Sequence, residues 1–267
     1  MIHQFPRLSP WLAAMIFAIA MAFSNAIEAA QLLSDDFNDA TTEANPLWRF
    51  FDPYDTTTGS DAGESTLNFD GTNALITIPS GLPHDLWITP NNNAPRLLQP
   101  SSNEDFSIEV KFETIPGLSN QSQGIVVQED DDTFLRFDIF YTNRPKIFVA
   151  YVDGGTNVTH LPVTNLPNNS KYQQLTRTGN QWEFRHSNDG TNWTTAVTFT
   201  QVLAVTEVGF FAGTSGSNPE FLSSVDYFKD LDGAPLVDND TWIAPAPVIN
   251  VWYDYTQPDN QFGQPGV

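Results

Sequence analysis

Residues Phe106 to Phe112 read FSIEVKF. Phe106, Ile108, Val110 and Phe112 alternate with Ser107, Glu109 and Lys111. A period of two sends successive side chains to opposite faces, so this heptapeptide reads as a half-buried antiparallel strand. Working outward, similar runs follow at Gly124–Gln128, Phe134–Phe140 (FLRFDIF), Lys146–Val152 (KIFVAYV), Gln181–Arg185 (QWEFR), Thr194–Phe199 (TTAVTF), Val205–Phe211 (VTEVGFF) and Ser224–Phe228 (SVDYF). Between them stand Asp130-Asp131-Asp132, Thr142-Asn143-Arg144-Pro145, Asp153-Gly154-Gly155 and Asn188-Asp189-Gly190. Gly, Asn and Asp tolerate the backbone of tight hairpin turns. No segment carries a helical period. Short strands at regular spacing predict an all-β fold, an antiparallel sandwich or barrel.

Two stretches break the rhythm. Pro83 to Pro100 (PHDLWITPNNNAPRLLQP) is rich in Pro and Asn and reads as a long loop with a brief strand. From residue 234 onward the chain is punctuated by Pro235, Pro245, Pro247, Pro258 and Pro265 and reads as a linker. At the other end Arg7 precedes the apolar run Trp11–Phe23, which is shorter than the roughly 20 residues a membrane span needs. Ser24 and Ala26 follow at positions suited to cleavage, with Ala29 and Ala30 as alternatives. Residues 1–30 therefore read as a secretory signal peptide, 31–233 as one β domain, and the mature product as exported and not inserted in a membrane.

The chain has 32 acidic against 11 basic residues, a formal charge of −21, and no Cys. Such a field repels phosphate backbones and argues against nucleic acid as a partner. It also favours divalent cations. Without Cys, thiolate chemistry and disulfide staples are excluded, and a domain of this size can bury enough core without them.

Several motifs in order resemble the concanavalin A-like lectin/glucanase superfamily. They are Ser34-Asp35-Asp36-Phe37-Asn38, then Asp105-Phe106-Ser107-Ile108-Glu109-Val110 after Ala94-Pro95-Arg96-Leu97-Leu98, then Gln123–Gln128 leading through the triple Asp into Phe134-Leu135-Arg136. Ser187-Asn188-Asp189-Gly190-Thr191-Asn192-Trp193-Thr194, Val208–Gly213 and Val225–Phe228 complete the set. The chain is similar to secreted domains of the regulation-of-enolase type and to the β-sandwich appended to family 43 glycosidases. The resemblance implies a jelly-roll β-sandwich over about Gln31 to Asp232. The tail segments Pro247–Tyr253 and Gln261–Gln264 resemble the start of a following module. In the glycosidase relatives a structural Ca²⁺ ties the first strand to the last. The resemblance places that ion at Asp36 and Asp226, with Asp35 as a second choice.

Catalytic motifs are sparse. No Glu-x-Asp-x-x-Glu strand motif, Gly-x-Ser-x-Gly elbow or His-Glu-x-x-His pattern occurs. Glu129–Asp132 sits on a turn, and His84, His160 and His186 are isolated in sequence. For ligand binding, Trp87 stands out because it lies in the irregular loop, where a rigid scaffold often carries recognition residues. Arg136, Asp138 and Phe140 share one strand face by the period of two, and Tyr141 lies at the end of the same strand. The expected function is a secreted non-catalytic module binding polysaccharide or glycan through Trp87, Arg136, Asp138 and Tyr141. A glycoside hydrolase and a structural spacer of a bacterial cell-surface protein are the alternatives.

Overall fold

A computed structural model describes residues 31–38, 48–53, 65–81, 83–89, 91–167, 170–216 and 220–233. The signal-peptide and tail readings, 1–30 and 234–267, lie outside the described residues. Among the described residues there is no helix, and none long and apolar enough to cross a membrane. Two antiparallel seven-stranded sheets face each other as a jelly-roll sandwich.

The first sheet runs in the order β1 (Arg49–Phe51), β4 (Arg96–Pro100), β13 (Glu207–Thr214), β6 (Gln121–Gln128), β7 (Thr133–Tyr141), β8 (Pro145–Asp153) and β9 (Thr156–Asn165). The second runs β12 (Trp193–Thr200), β11 (Gln181–Ser187), β10 (Tyr172–Thr178), β5 (Phe106–Phe112), β14 (Phe221–Asp230), β3 (Ala74–Ile78) and β2 (Thr66–Phe69). The FSIEVKF run is β5, and its four apolar side chains are buried between the sheets. From the other layer Ile125, Val127, Leu135, Phe137, Ile139 and Phe210 meet them. The chain enters and leaves the domain side by side. Asp35 N–H donates to Phe228 C=O at 2.8 Å, and Phe228 N–H returns to Asp35 C=O at 2.9 Å.

β1, β2, β3, β9 and β10 are not among the runs singled out in the sequence, and for the last two the physical reason is plain. β10 reads YQQLTRT, and its inward positions are Gln173, Leu175 and Arg177. Two polar residues on the buried face hide the alternation. β9 is an edge strand with no fully buried residue, and Pro162 interrupts it. Without a face fully closed from water it has no apolar period to show. The expected loop of residues 83–100 does contain a brief strand, β4.

The rest of that segment forms a third layer. It crosses the outer face of the first sheet, where Leu86 and Ala94 join Leu98, Val126, Phe134, Val152 and Phe211 in a second apolar cluster. All eight residues of β6 are consequently buried. His84 seats the segment on β13 through a reciprocal backbone pair with Thr214, at 2.7 and 2.9 Å. Gly213 permits that approach, since a Cβ there would stand 2.6 Å from the His84 carbonyl oxygen. Backbone atoms fixed in such a ladder cannot swing aside. Gly213→Ala is therefore expected to destabilise the domain by about 1–3 kcal/mol, the usual range for overpacking. Thermal denaturation should show the midpoint several degrees lower, and an unchanged midpoint would mean the loop does not lie where described.

Candidate functional site

The crossing segment and the outer face of the first sheet enclose a cavity of about 200 Å³. Its floor is β7. Arg136, Asp138 and Phe140 project to one side at alternate positions, as the period of two requires, and Arg136, Asp138 and Phe140 all line the cavity. Across the strand pairings, Phe148 of β8 lies opposite Asp138, and Ser122 of β6 lies opposite Phe140. Gly124 lies opposite Asp138 on the β6 side, where a Cβ would stand 2.0 Å from the Phe137 carbonyl oxygen. No side chain can therefore grow over Asp138 from that direction. The crossing segment supplies Asp85 and Trp87, while Asn120, Val163 and Ser215 complete the rim.

Arg136 is the centre of this arrangement. Its Nε and Nη2 donate to the two oxygens of Asp138 at 3.0 and 2.9 Å. Its Nη1 donates to Asp85 Oδ1 at 3.2 Å and to the Leu86 carbonyl. The guanidinium carbon lies 5.4 Å from the ring centre of Phe211, 5.6 Å from Phe148 and 5.9 Å from Trp87. Burial acts to lower the Arg136 pKa, but Asp138 and then Asp85 outweigh it and hold the guanidinium above its ordinary value. For the Asp138 carboxyl burial is the larger influence and the direction is upward, with the Arg136 charge pulling the other way.

The cavity is lined by rings and by unpaired polar atoms. Trp87 and Phe148 are each half-buried and stand 5.8 Å apart, tilted by 52°. Among the described residues, Asp85 Oδ2, the Asn120 side-chain amide and the hydroxyls of Ser122 and Ser215 have no protein partner. Asn120 adopts a φ of 72°, a left-handed geometry that Asn tolerates well. That backbone is fixed by Asn120 N–H donating to Tyr141 C=O at 2.7 Å and by Ser215 N–H donating to Asn120 C=O at 3.0 Å.

Of the four expected binding residues, Trp87, Arg136 and Asp138 thus come together. Tyr141 does not line the cavity; its hydroxyl reaches the Asn143 carbonyl at 3.4 Å. It lies at an odd-numbered step from Arg136, so the strand turns it to the other side. Asp85, Asn120, Ser122, Phe148 and Ser215 were not singled out in the sequence. Asp85 sits two residues from Trp87 in the same irregular segment, which is the signal that could have drawn attention to it.

The three carboxylates expected to hold calcium are engaged with protein donors. Asp35 Oδ2 accepts the Trp48 indole N–H at 2.8 Å, and its Oδ1 accepts Phe37 N–H at 2.8 Å. Asp36 binds the Asn38 amide at 2.8 Å. Asp226 pairs with Lys111 Nζ at 2.7 Å. A calcium shell takes 6–8 oxygens. Among the described residues no three acidic or His side chains gather closely enough to hold a metal by themselves, so a cation here would draw most of its oxygens from backbone carbonyls. A second, smaller cavity of about 80 Å³ contains Ser170 and His186, with Oγ and Nδ1 2.8 Å apart. Burial pushes the His186 pKa down. Among the described residues no carboxylate meets the other ring nitrogen, so the dyad lacks the orienting third group of a nucleophilic triad.

The family profile DUF1349, described as a protein of unknown function, matches residues 69–228. The chain belongs to this family. Its two-sheet jelly-roll sandwich is a fold shared with the solved structures named next. No curated protein matches it by sequence. Among solved structures it is similar to the GH43 BlXynB protein from Bacillus licheniformis, at 18% identity and a TM-score of 0.56 over 75% of this chain and 39% of that one. It is also similar to a functionally unknown protein from Saccharomyces cerevisiae, at 12% identity and 0.52 over 70% and 98%. A third is a Bacteroides ovatus GH16 protein of a mixed-linkage glucan locus in complex with its G4G4G3G product, at 10% identity and 0.50 over 75% and 100%. The DUF1349 chain spans about 40% of the length of the first GH43 structure it matches. At these identities the likeness is one of fold.

Two outcomes check this geometry. Asp138→Ala strands a buried guanidinium and should cost about 3–5 kcal/mol, read by denaturant unfolding. A cost below 1 kcal/mol would show the pair to be solvated. Melting the full chain with and without a chelator tests the calcium expectation: a bound ion stabilises by mass action, so its removal should lower the midpoint, and an unchanged midpoint would sink that expectation.

Proposed function

We propose that this DUF1349 protein is a secreted, non-catalytic carbohydrate-binding module whose ligand seat is the cavity between Trp87, Phe148 and Asp85. One observation carries the reading: two half-exposed rings stand beside four polar groups that have no protein partner. A sugar ring presents an apolar face of C–H groups and a rim of hydroxyls. The rings suit the first and the free amide, hydroxyls and carboxylate suit the second. These groups are open to solvent, and a ligand hydroxyl can take the place of the water on them.

Size limits what enters. Pockets for drug-sized ligands run to roughly 300–1,000 Å³. A cavity of about 200 Å³ suits one monosaccharide unit or a chain end. The sandwich fold, and structural neighbours that include a xylan β-1,4-xylosidase and a GH16 protein holding its glucan product, support a glycan-related role. The carboxylates argue against hydrolysis. Glycosidases use an acid and a base or nucleophile flanking the bond. Here both Asp138 oxygens accept from Arg136 in a bidentate pair, so this carboxylate is engaged by the protein.

Titration of the mature chain with mono- and oligosaccharides, followed by tryptophan fluorescence and calorimetry, tests the reading. A sugar should bind, and Trp87→Ala should weaken it about tenfold or more while the fold is kept. If no sugar in a broad glycan array binds, the reading fails. Reducing-sugar release from a polysaccharide panel should be absent; release lost in the Asp138→Asn variant would establish a hydrolase instead. N-terminal sequencing of the exported product should begin at Ile27.

A further inference from the structure

The charges around the cavity are unequal, and the inequality bears on which sugar fits. Arg136 is the one cation among its lining residues, and Asp85 and Asp138 are the two anions. Asp138 occupies Arg136 through both of its oxygens, so this pair neutralises itself inside the protein. Asp85 gives only Oδ1 to Arg136, at the longer distance of 3.2 Å, and its side chain is 23% exposed. Its Oδ2 is without a partner and belongs to a cavity-lining residue. The local sum is one negative charge.

The other walls agree with that sign. The faces of Trp87 and Phe148 carry the negative side of the aromatic quadrupole, which attracts cations and repels anions. The hydroxyls of Ser122 and Ser215 and the Asn120 amide oxygen can accept as well as support donors. The chain as a whole carries −21, which raises the local concentration of cationic ligands and lowers that of anionic ones.

Resting on the carbohydrate reading above, we infer that the cavity selects a sugar unit bearing a free ammonium, a hexosamine, over neutral sugars and over uronates. The ring of the sugar lies against Trp87 and Phe148, and its ammonium donates to Asp85 Oδ2. An N-acetylated amine has lost the charge that Asp85 would meet. A uronate would set its carboxylate against Asp85.

Calorimetry on the mature chain separates these cases. The ligands are glucosamine, glucose, N-acetylglucosamine, glucuronate and ethanolamine, at about pH 6, below the ~7.7–8.0 of an α-amine. Glucosamine should bind about tenfold tighter than glucose, the scale of one charge-assisted hydrogen bond. N-acetylglucosamine and glucuronate should bind more weakly than glucosamine. Asp85→Asn should bring glucosamine down to glucose. In the unaltered chain, raising the pH to about 9 should remove the same advantage by discharging the amine, which gives a readout should the variant not fold. Equal binding of glucosamine and glucose overturns the inference while leaving a carbohydrate module. Binding of no sugar overturns both. Ethanolamine binding as tightly as glucosamine overturns the inference by showing an amine seat indifferent to the sugar ring.

Discussion

The bidentate pair between Arg136 and Asp138 sets the terms for the outer half of this molecule. Both residues are buried, and both belong to β7, two positions apart on one face. A buried ion pair is weak evidence for stability, because desolvation offsets most of the attraction. Its effect here is on arrangement. With Asp138 satisfying the Nε–Nη2 edge of the guanidinium, Nη1 is free to reach the crossing segment at Asp85 and the Leu86 carbonyl. The flat faces of the guanidinium are covered by Phe148, Phe211 and Trp87. A single charged group thus holds an irregular segment against a sheet and leaves one hollow beside it.

The sandwich makes that possible by burying a strand face twice. Inner side chains of β6 and β7 fill the space between the sheets, as in any two-layer β domain. Their outer side chains would face water, but the segment of residues 83–95 covers them. At the far end of the same face Arg96 plays the counterpart role. It is fully buried, donates to Gln128 at 2.9 Å and to Asn92, and lies over the rings of Phe51 and Phe134. No carboxylate is bonded directly to it among the described residues, and burial pushes its pKa down to about 10. The crossing segment is pinned at two points, and the cavity lies at the one where a carboxylate is left half free.

Much of the fold could be read directly because the inward positions obey one chemistry. FSIEVKF at β5 alternates cleanly, FLRFDIF within β7 puts Leu135, Phe137 and Ile139 on the inner face, and the turns between strands carry Gly, Asn and Asp where the backbone needs them. Reading stopped where polar residues turn inward, as Gln173 and Arg177 do in β10, where no face is fully buried, as in β9, and at the short strands β1 to β3, although ALITI in β3 carries an apolar signal. The site was half legible. Arg136, Asp138 and Phe140 follow from strand period, and Trp87 follows from its place in an odd loop. That this loop folds over that strand is a long-range fact with no local signal. Asp85, Asn120 and Ser122 are ordinary polar residues until the loop brings them together. The calcium expectation rested on resemblance, and the partners of Asp35 and Asp226 are residues such as Trp48 and Lys111 that no motif marks.

Fold likeness alone says little about function, since one sandwich hosts many activities. What this chain adds is a hollow of specific chemistry at a specific place. The most direct measurement is amide chemical-shift mapping during titration with glucosamine. The shifts should gather at Asp85 to Trp87, Asn120 to Ser122 and Phe148, around the guanidinium of Arg136. Shifts gathered instead on the opposite sheet, near Tyr172 and Trp193, would contradict the placement of the ligand site and with it the role given to the Arg136–Asp138 pair.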